Sequence, residues 1–212
     1  MKKIIKDKVR SAFAEYTSAY DAKNVKVKLK IDHTYRVADI AEKIGRTVFK
    51  DPHDIDLCFL LGMLHDIGRF EQLKQYNTFK DSASIDHAQL SADILFKDGL
   101  ISSFINYPDD NEMLDLAIRL HNVFILPDDL SERDRKFANI LRDADKIDIL
   151  KVSCDIPFED VYDRPYSELL KADISDKVYE AATLGRNVDR RDIRTAADSY
   201  ITKICFVYGL VF

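Results

Sequence analysis

Glycine and proline are scarce in this 212-residue chain, six and five respectively, which excludes collagen-like and low-complexity architectures. Cysteine is rarer still. Cys58, Cys154 and Cys205 are scattered, odd in number and form no CxxC pair, so neither a disulfide framework nor a thiolate zinc site is indicated. All three are expected to be buried small hydrophobes. Long apolar runs are missing too: the longest, Ile204 to Phe212, falls far short of the ~20 residues of a membrane helix. The opening Lys2-Lys3 is not followed by the apolar segment of a secretory leader. These absences predict a cytoplasmic protein with no membrane partner. Nor does one sign of charge dominate. Thirty-two basic residues face 37 acidic ones for a net charge of −5, which predicts no nucleic-acid partner.

What is present is 46% hydrophobic and 33% charged sequence, the composition of a globular domain. The length suits one domain over residues 1–212. Residues 1–30 carry nine Lys/Arg against Asp7, Glu15 and Asp21. With Ile4, Ile5, Val9, Phe13 and Tyr16 at helical spacing, this stretch reads as an amphipathic helix with a solvated basic face. Apolar residues recur at i, i+3, i+4, i+7 along the chain, in Val37/Ile40/Ala41/Ile44/Val48, Leu57/Leu60/Leu61/Leu64 and Phe137/Ile140/Leu141/Ala144. Further helices are predicted near 84–97, 111–124 and 190–207, and boundaries at Pro52, Gly99, Pro108, Pro127 and Pro157. Clear alternation occurs only in Val25-Lys26-Val27-Lys28-Leu29, predicted as a short extended lead-in. The expected fold class is all-α, a single-domain helical bundle. Residues 153–189 are the least regular stretch, a connecting segment or a cap.

There are five histidines, and most fall on apolar stripes. His33 precedes Val37 by four residues, His65 follows Leu61 by four, and His121 follows Ile118 by three. Asp145 follows Leu141 by four and extends another stripe. Asp66, beside His65, is rotated by roughly 100° on a continuous helix and can still converge on the same point at its edge. Any one such residue is more often a hydrogen-bonded core residue than a ligand. Together, imidazoles and carboxylates directed into an apolar interior are costly to desolvate unless paired. A bound cation satisfies all of them at once, and imidazole plus carboxylate is a donor set for Zn²⁺, Mn²⁺, Fe²⁺, Co²⁺ or Ni²⁺. On a helix starting near Ser84, His87 falls beside the Ile85/Ala88/Ala92/Leu95 stripe. His53, in the Asp51-Pro52-His53-Asp54 turn, is assigned to the surface.

These residues resemble a known family. His33 with Arg36, the LGMLHDIGRF segment carrying His65-Asp66, and LRDADKIDIL carrying Asp145 are similar to the HD superfamily of metal-dependent phosphohydrolases, over roughly residues 28–152. Residues 153–212 would then be a helical extension of this core. The resemblance implies an all-α fold and a metal set of His33, His65, Asp66 and Asp145. His87 and His121 fill the slots that two-metal members add, which implies a dinuclear centre with Asp66 bridging. A lone His121-Asn122 stands where some two-metal relatives carry a His-His pair, so one ion and two both remain open.

Such ions suit hydrolysis of a phosphate ester. Arg36, one turn from His33, and Arg69, four residues from His65, are placed to grip phosphate at the mouth of the site, with Lys146 a weaker candidate. Ordinary ion pairs explain the arginines equally well. The Gly-Tyr-Pro signature of cyclic-dinucleotide hydrolases is missing from Gln75-Tyr76-Asn77-Thr78-Phe79-Lys80. A nucleotide or another small phosphorylated metabolite is the expected substrate, and Tyr76 and Phe79 read as packing residues more readily than as stacking partners. Two other readings share the ligand set. One is a di-iron oxygenase of the same superfamily, and the other is a non-catalytic nucleotide-sensing module.

Overall fold

A computed structural model describes residues 3–159 and 165–212. The fold is all-α, with no strand among the described residues. The helices are α1 (Lys6–Thr17), α2 (Val25–Val48), α3 (Pro52–Leu64), α4 (Ile67–Tyr76), α5 (His87–Ala92), α6 (Asn111–Leu120), α7 (Glu132–Asp155), α8 (Tyr166–Lys171), α9 (Asp176–Thr183) and α10 (Ala196–Ile204). The chain forms two compact units, Met1–Ala144 and Asp145–Phe212, so that the division falls within α7.

The extended lead-in expected over Val25–Leu29 is instead the start of the 24-residue helix α2. Asn24 caps it, its side chain accepting from the Lys26 amide at 2.9 Å. Once such a cap satisfies the first orphan donors, each further residue adds a backbone hydrogen bond, and five residues of alternation do not compete. Asp51 starts α3 in the same way, accepting from the His53 amide, with Pro52 in the first turn where its missing N–H costs nothing.

The centre of the first unit is α3. Every residue from Leu57 to Leu64 is buried, the pattern of a helix wrapped on all sides. Helix α2 lies along it and α1 packs over it. The α2–α3 contact is so close at Gly62 that a Cβ there would sit 2.4 Å from the Ala38 Cα. Phe13 from α1 meets Tyr35 and Phe70 edge-on at centroid distances of 5.4 and 5.8 Å. Helices α4, α5 and α6 follow in a chain of contacts, α4 on α5 and α5 on α6. Gly68 of α4 makes the first of these possible: its amide donates to Ser91 Oγ at 2.9 Å, and a Cβ would lie 2.6 Å from the Ser91 nitrogen.

The second unit has its own small core of Val178, Val188 and Cys205. Helix α10 begins with a reciprocal capping box between Thr195 and Asp198. Part of the irregular 153–189 stretch is resolved into α8 and α9, while residues 160–164 lie outside the described residues. Cys58 and Cys205 are buried as expected, but Cys154 is exposed, because it lies on the solvent side of the last turn of α7.

Candidate metal centre

His65 and Asp66 do not share one continuous helix, as the sequence pattern had suggested. His65 is the C-terminal cap of α3, and Asp66 (φ −106°, ψ 16°) is the single residue between it and α4. This bridge-region conformation turns the chain. Both side chains are buried.

His87 is likewise the first residue of α5, not a mid-helix residue. Asp86 caps the helix by accepting from the amides of Ala88 and Gln89, and the expected 84–97 helix is divided into α5 and a π turn at Asp93–Lys97. His121 lies just beyond α6, which ends at Leu120 and does not run to residue 124. His33 alone comes from mid-helix, on α2.

These five side chains meet in the interior of the first unit, each no more than 5% exposed. Asp66 lies at the middle. Its Oδ2 is 3.6 Å from His33 Nε2 and 3.5 Å from His65 Nε2. Its Oδ1 is 3.5 Å from His87 Nε2 and 3.9 Å from His121 Nε2. The carboxylate therefore divides two donor groups, His33/His65/Asp66 and Asp66/His87/His121, each with its ligand atoms within 4.8 Å of one another. Asp66 Oδ1 is buried and accepts no hydrogen bond among the described residues.

Hydrogen bonds on the outer side of the rings set which nitrogen faces in. His65 Nδ1 donates to the Gly62 carbonyl at 2.8 Å and His121 Nδ1 to the Ile118 carbonyl at 2.7 Å. His87 Nδ1 donates to Asp81 Oδ2 at 2.7 Å. A carbonyl or carboxylate can only accept, so each Nδ1 carries the proton, and in the neutral ring each Nε2 presents a lone pair inward. Burial, together with the nearby Arg69 charge, pushes the His87 pKa down to about 4 despite Asp81 and Asp66, so that ring is neutral at pH 7. Burial acts to raise the Asp66 pKa, but Lys30, His65, His87 and Arg69 outweigh it and hold the carboxyl well below the usual range. Burial also opposes ionisation of Asp81, yet its bond to His87 and the charge of Arg69 keep it ionised.

The other residues singled out from sequence are placed as follows. Asp145 is half-buried on α7 and is the first residue of the second unit. In that unit the Lys146 ammonium donates to the Gly209 carbonyl at 2.6 Å. Arg36 is half-buried one turn beyond His33. Arg69 is held inside the fold: its Nη1 donates to Gln72 Oε1, the Phe79 carbonyl and Asp81 Oδ1 at 2.7–2.8 Å. It is ion-paired with Asp81, the partner of His87, and its Nε lies 3.7 Å from Asp66 Oδ1. Phe79 is half-buried and packs on the core, whereas Tyr76 is exposed. His53 is half-buried, with Nε2 2.8 Å from Asp110 Oδ2.

Three residues had escaped the sequence reading. Lys30, counted there within a solvated basic face, directs its ammonium to Asp66 Oδ2 at 2.5 Å; its position three residues before His33 was the available signal. Asp81 orients His87 but lies in a segment without periodicity. Arg142 is buried and donates to the carbonyls of Leu120, Val123 and Phe124, which flank His121. Asn122 ties the same loop to α5 through Asp86 Oδ1 at 3.0 Å.

An all-helical fold closing on buried imidazoles around one carboxylate defines a protein with a cluster able to hold divalent metal. The HD domain family model matches residues 31–150, more than half of the chain, and the protein belongs to that family. No curated protein and no solved structure matches it.

Proposed function

We propose that this protein is a metal-dependent phosphohydrolase cleaving a phosphate ester of a nucleotide or another small phosphorylated metabolite. The observation that carries the reading is the division of Asp66: one oxygen faces His33 and His65, the other His87 and His121. Neutral imidazoles with inward lone pairs, and a buried ionised carboxylate between them, fit divalent transition ions such as Mn²⁺, Fe²⁺, Zn²⁺, Co²⁺ or Ni²⁺. Two ions would be held by His33, His65, His87 and His121 with Asp66 shared, and the family resemblance assigns Asp145 as the sixth ligand. Bound there, such ions supply Lewis-acid polarisation of the phosphoryl oxygens and acidification of water.

The chain's own groups do the rest. Gly62, Ile118 and Asp81 keep the rings in the ligating tautomer. Gln72, buried and donating to Asp81, Ser84 and the Ile85 carbonyl, fixes the approach to α5. Arg36 is one basic group proposed to face substrate from α2.

The test is metal analysis of the protein as isolated, then a screen of phosphomonoesters with each candidate ion. Phosphate release restored by Mn²⁺, Co²⁺ or Ni²⁺, and lost together with bound metal in His65→Ala, is the expected result. Oxygen consumption with an iron-dependent absorption and no phosphate release would replace this reading with an oxygenase.

A further inference from the structure

Asp66 Oδ2 faces three nitrogens. Two are imidazole donors; the third is the Lys30 ammonium, the closest of all at 2.5 Å. A lysine cannot be a ligand while protonated, so it competes with a cation for the same oxygen. Its side chain is 16% exposed against 3% for Asp66, and so it enters the centre from the solvent side. It sits 5.7 Å from the centre of the Phe79 ring, whose other cationic neighbour is Arg69, also at 5.7 Å.

The two cations are anchored differently. Arg69 is fixed by three acceptors on one nitrogen. Lys30 has a flexible four-carbon stem, and Asp66 is the one carboxylate it pairs with among the described residues. Ions held by Asp66 would compete with Lys30 for Oδ2 and would leave its ammonium free to meet another anion at the site.

We propose that Lys30 is a phosphoryl-binding residue of this centre: its ammonium pairs with Asp66, and where divalent ions took up that carboxylate it would serve the substrate's phosphoryl oxygens instead. This rests on the phosphohydrolase reading above. It gives Lys30 two measurable effects of opposite sign, since removing it favours the ion and disfavours the anion.

The experiment compares wild type, Lys30→Met and Lys30→Arg by calorimetric titration, first with Mn²⁺ and then, on Mn²⁺-loaded protein, with inorganic phosphate. Lys30→Met should bind Mn²⁺ about tenfold more tightly and phosphate about tenfold more weakly, a charged hydrogen bond being of that order. Lys30→Arg should keep most of the phosphate affinity. In chelator Lys30→Met should melt below wild type, and saturating Mn²⁺ should close the gap. With a phosphomonoester substrate the loss should fall mainly on KM. If Lys30→Met is insoluble, Lys30→Gln, which leaves Asp66 a polar neighbour, makes the same comparison. Ion and phosphate affinities within twofold of wild type in a folded variant would overturn the role of Lys30 while leaving the phosphohydrolase reading intact. A wild-type protein that binds no divalent ion would overturn both.

Discussion

His87 and His121 bring their Nε2 atoms to within 3.0 Å of each other, although both rings carry their proton on the opposite nitrogen. Two lone pairs facing across that gap in a buried site repel unless a proton or a cation lies between them. Divalent ions bound there should therefore stabilise the folded state. Chelator-treated protein is expected to melt several degrees lower than protein in excess Mn²⁺ or Zn²⁺, with the shift growing with ion concentration. Differential scanning calorimetry across an ion titration checks it, and an unchanged Tm would count against an ion at this pair.

Asp81 is the lever on the second donor group. Asp81→Asn keeps the shape but removes the charge that holds His87 Nδ1–H. Ion affinity at that group should fall roughly 10–100-fold, while the His33/His65 group, whose His65 ring is held by Gly62, should change less. Titration with Co²⁺, followed by its ligand-field absorption, resolves the two groups.

Arg142 should matter for stability as much as for the site. Its three carbonyl partners span Leu120 to Phe124, and truncation empties a buried side-chain position while leaving three part-buried acceptors without their donor. Arg142→Ala is expected to cost about 2–4 kcal/mol in urea unfolding and to weaken ion binding through His121. Arg142→Lys should recover only part of this, since an ammonium cannot span three carbonyls as a planar fork does.

Acid sensitivity is expected from the second unit. Asp198 is fully buried and accepts from the amides of Ser175, Arg194 and Thr195 and from Ser175 Oγ. Burial alone would raise its pKa, but these donors outweigh burial and lower it below the ordinary carboxylate value. A folded pKa below the unfolded one means the stabilisation is complete above about pH 5 and is lost as pH falls through the folded value. Asp198→Asn should lower stability at pH 7 by about 1–3 kcal/mol and flatten this part of the pH dependence. Circular-dichroism melts from pH 7 to pH 3 test both effects.

Much of this protein was legible without coordinates. Periodicity gives the all-α class and the buried faces of α2, α3 and α7, because a helix shows its inner side every three to four residues whatever it packs against. Histidines on such faces mark the centre, since burying them is costly without a partner. The positions that only tertiary structure decided are those at helix ends. His65, Asp66, His87 and His121 all lie at breaks or termini, where backbone direction follows caps and close contacts such as Gly62 on Ala38, and a 3.6-residue period says nothing about direction there. The same holds for Lys30 and Asp81. A charged residue's partner is chosen by which elements meet in space, and the separation of 36 positions between Lys30 and Asp66 hides that meeting from any local reading.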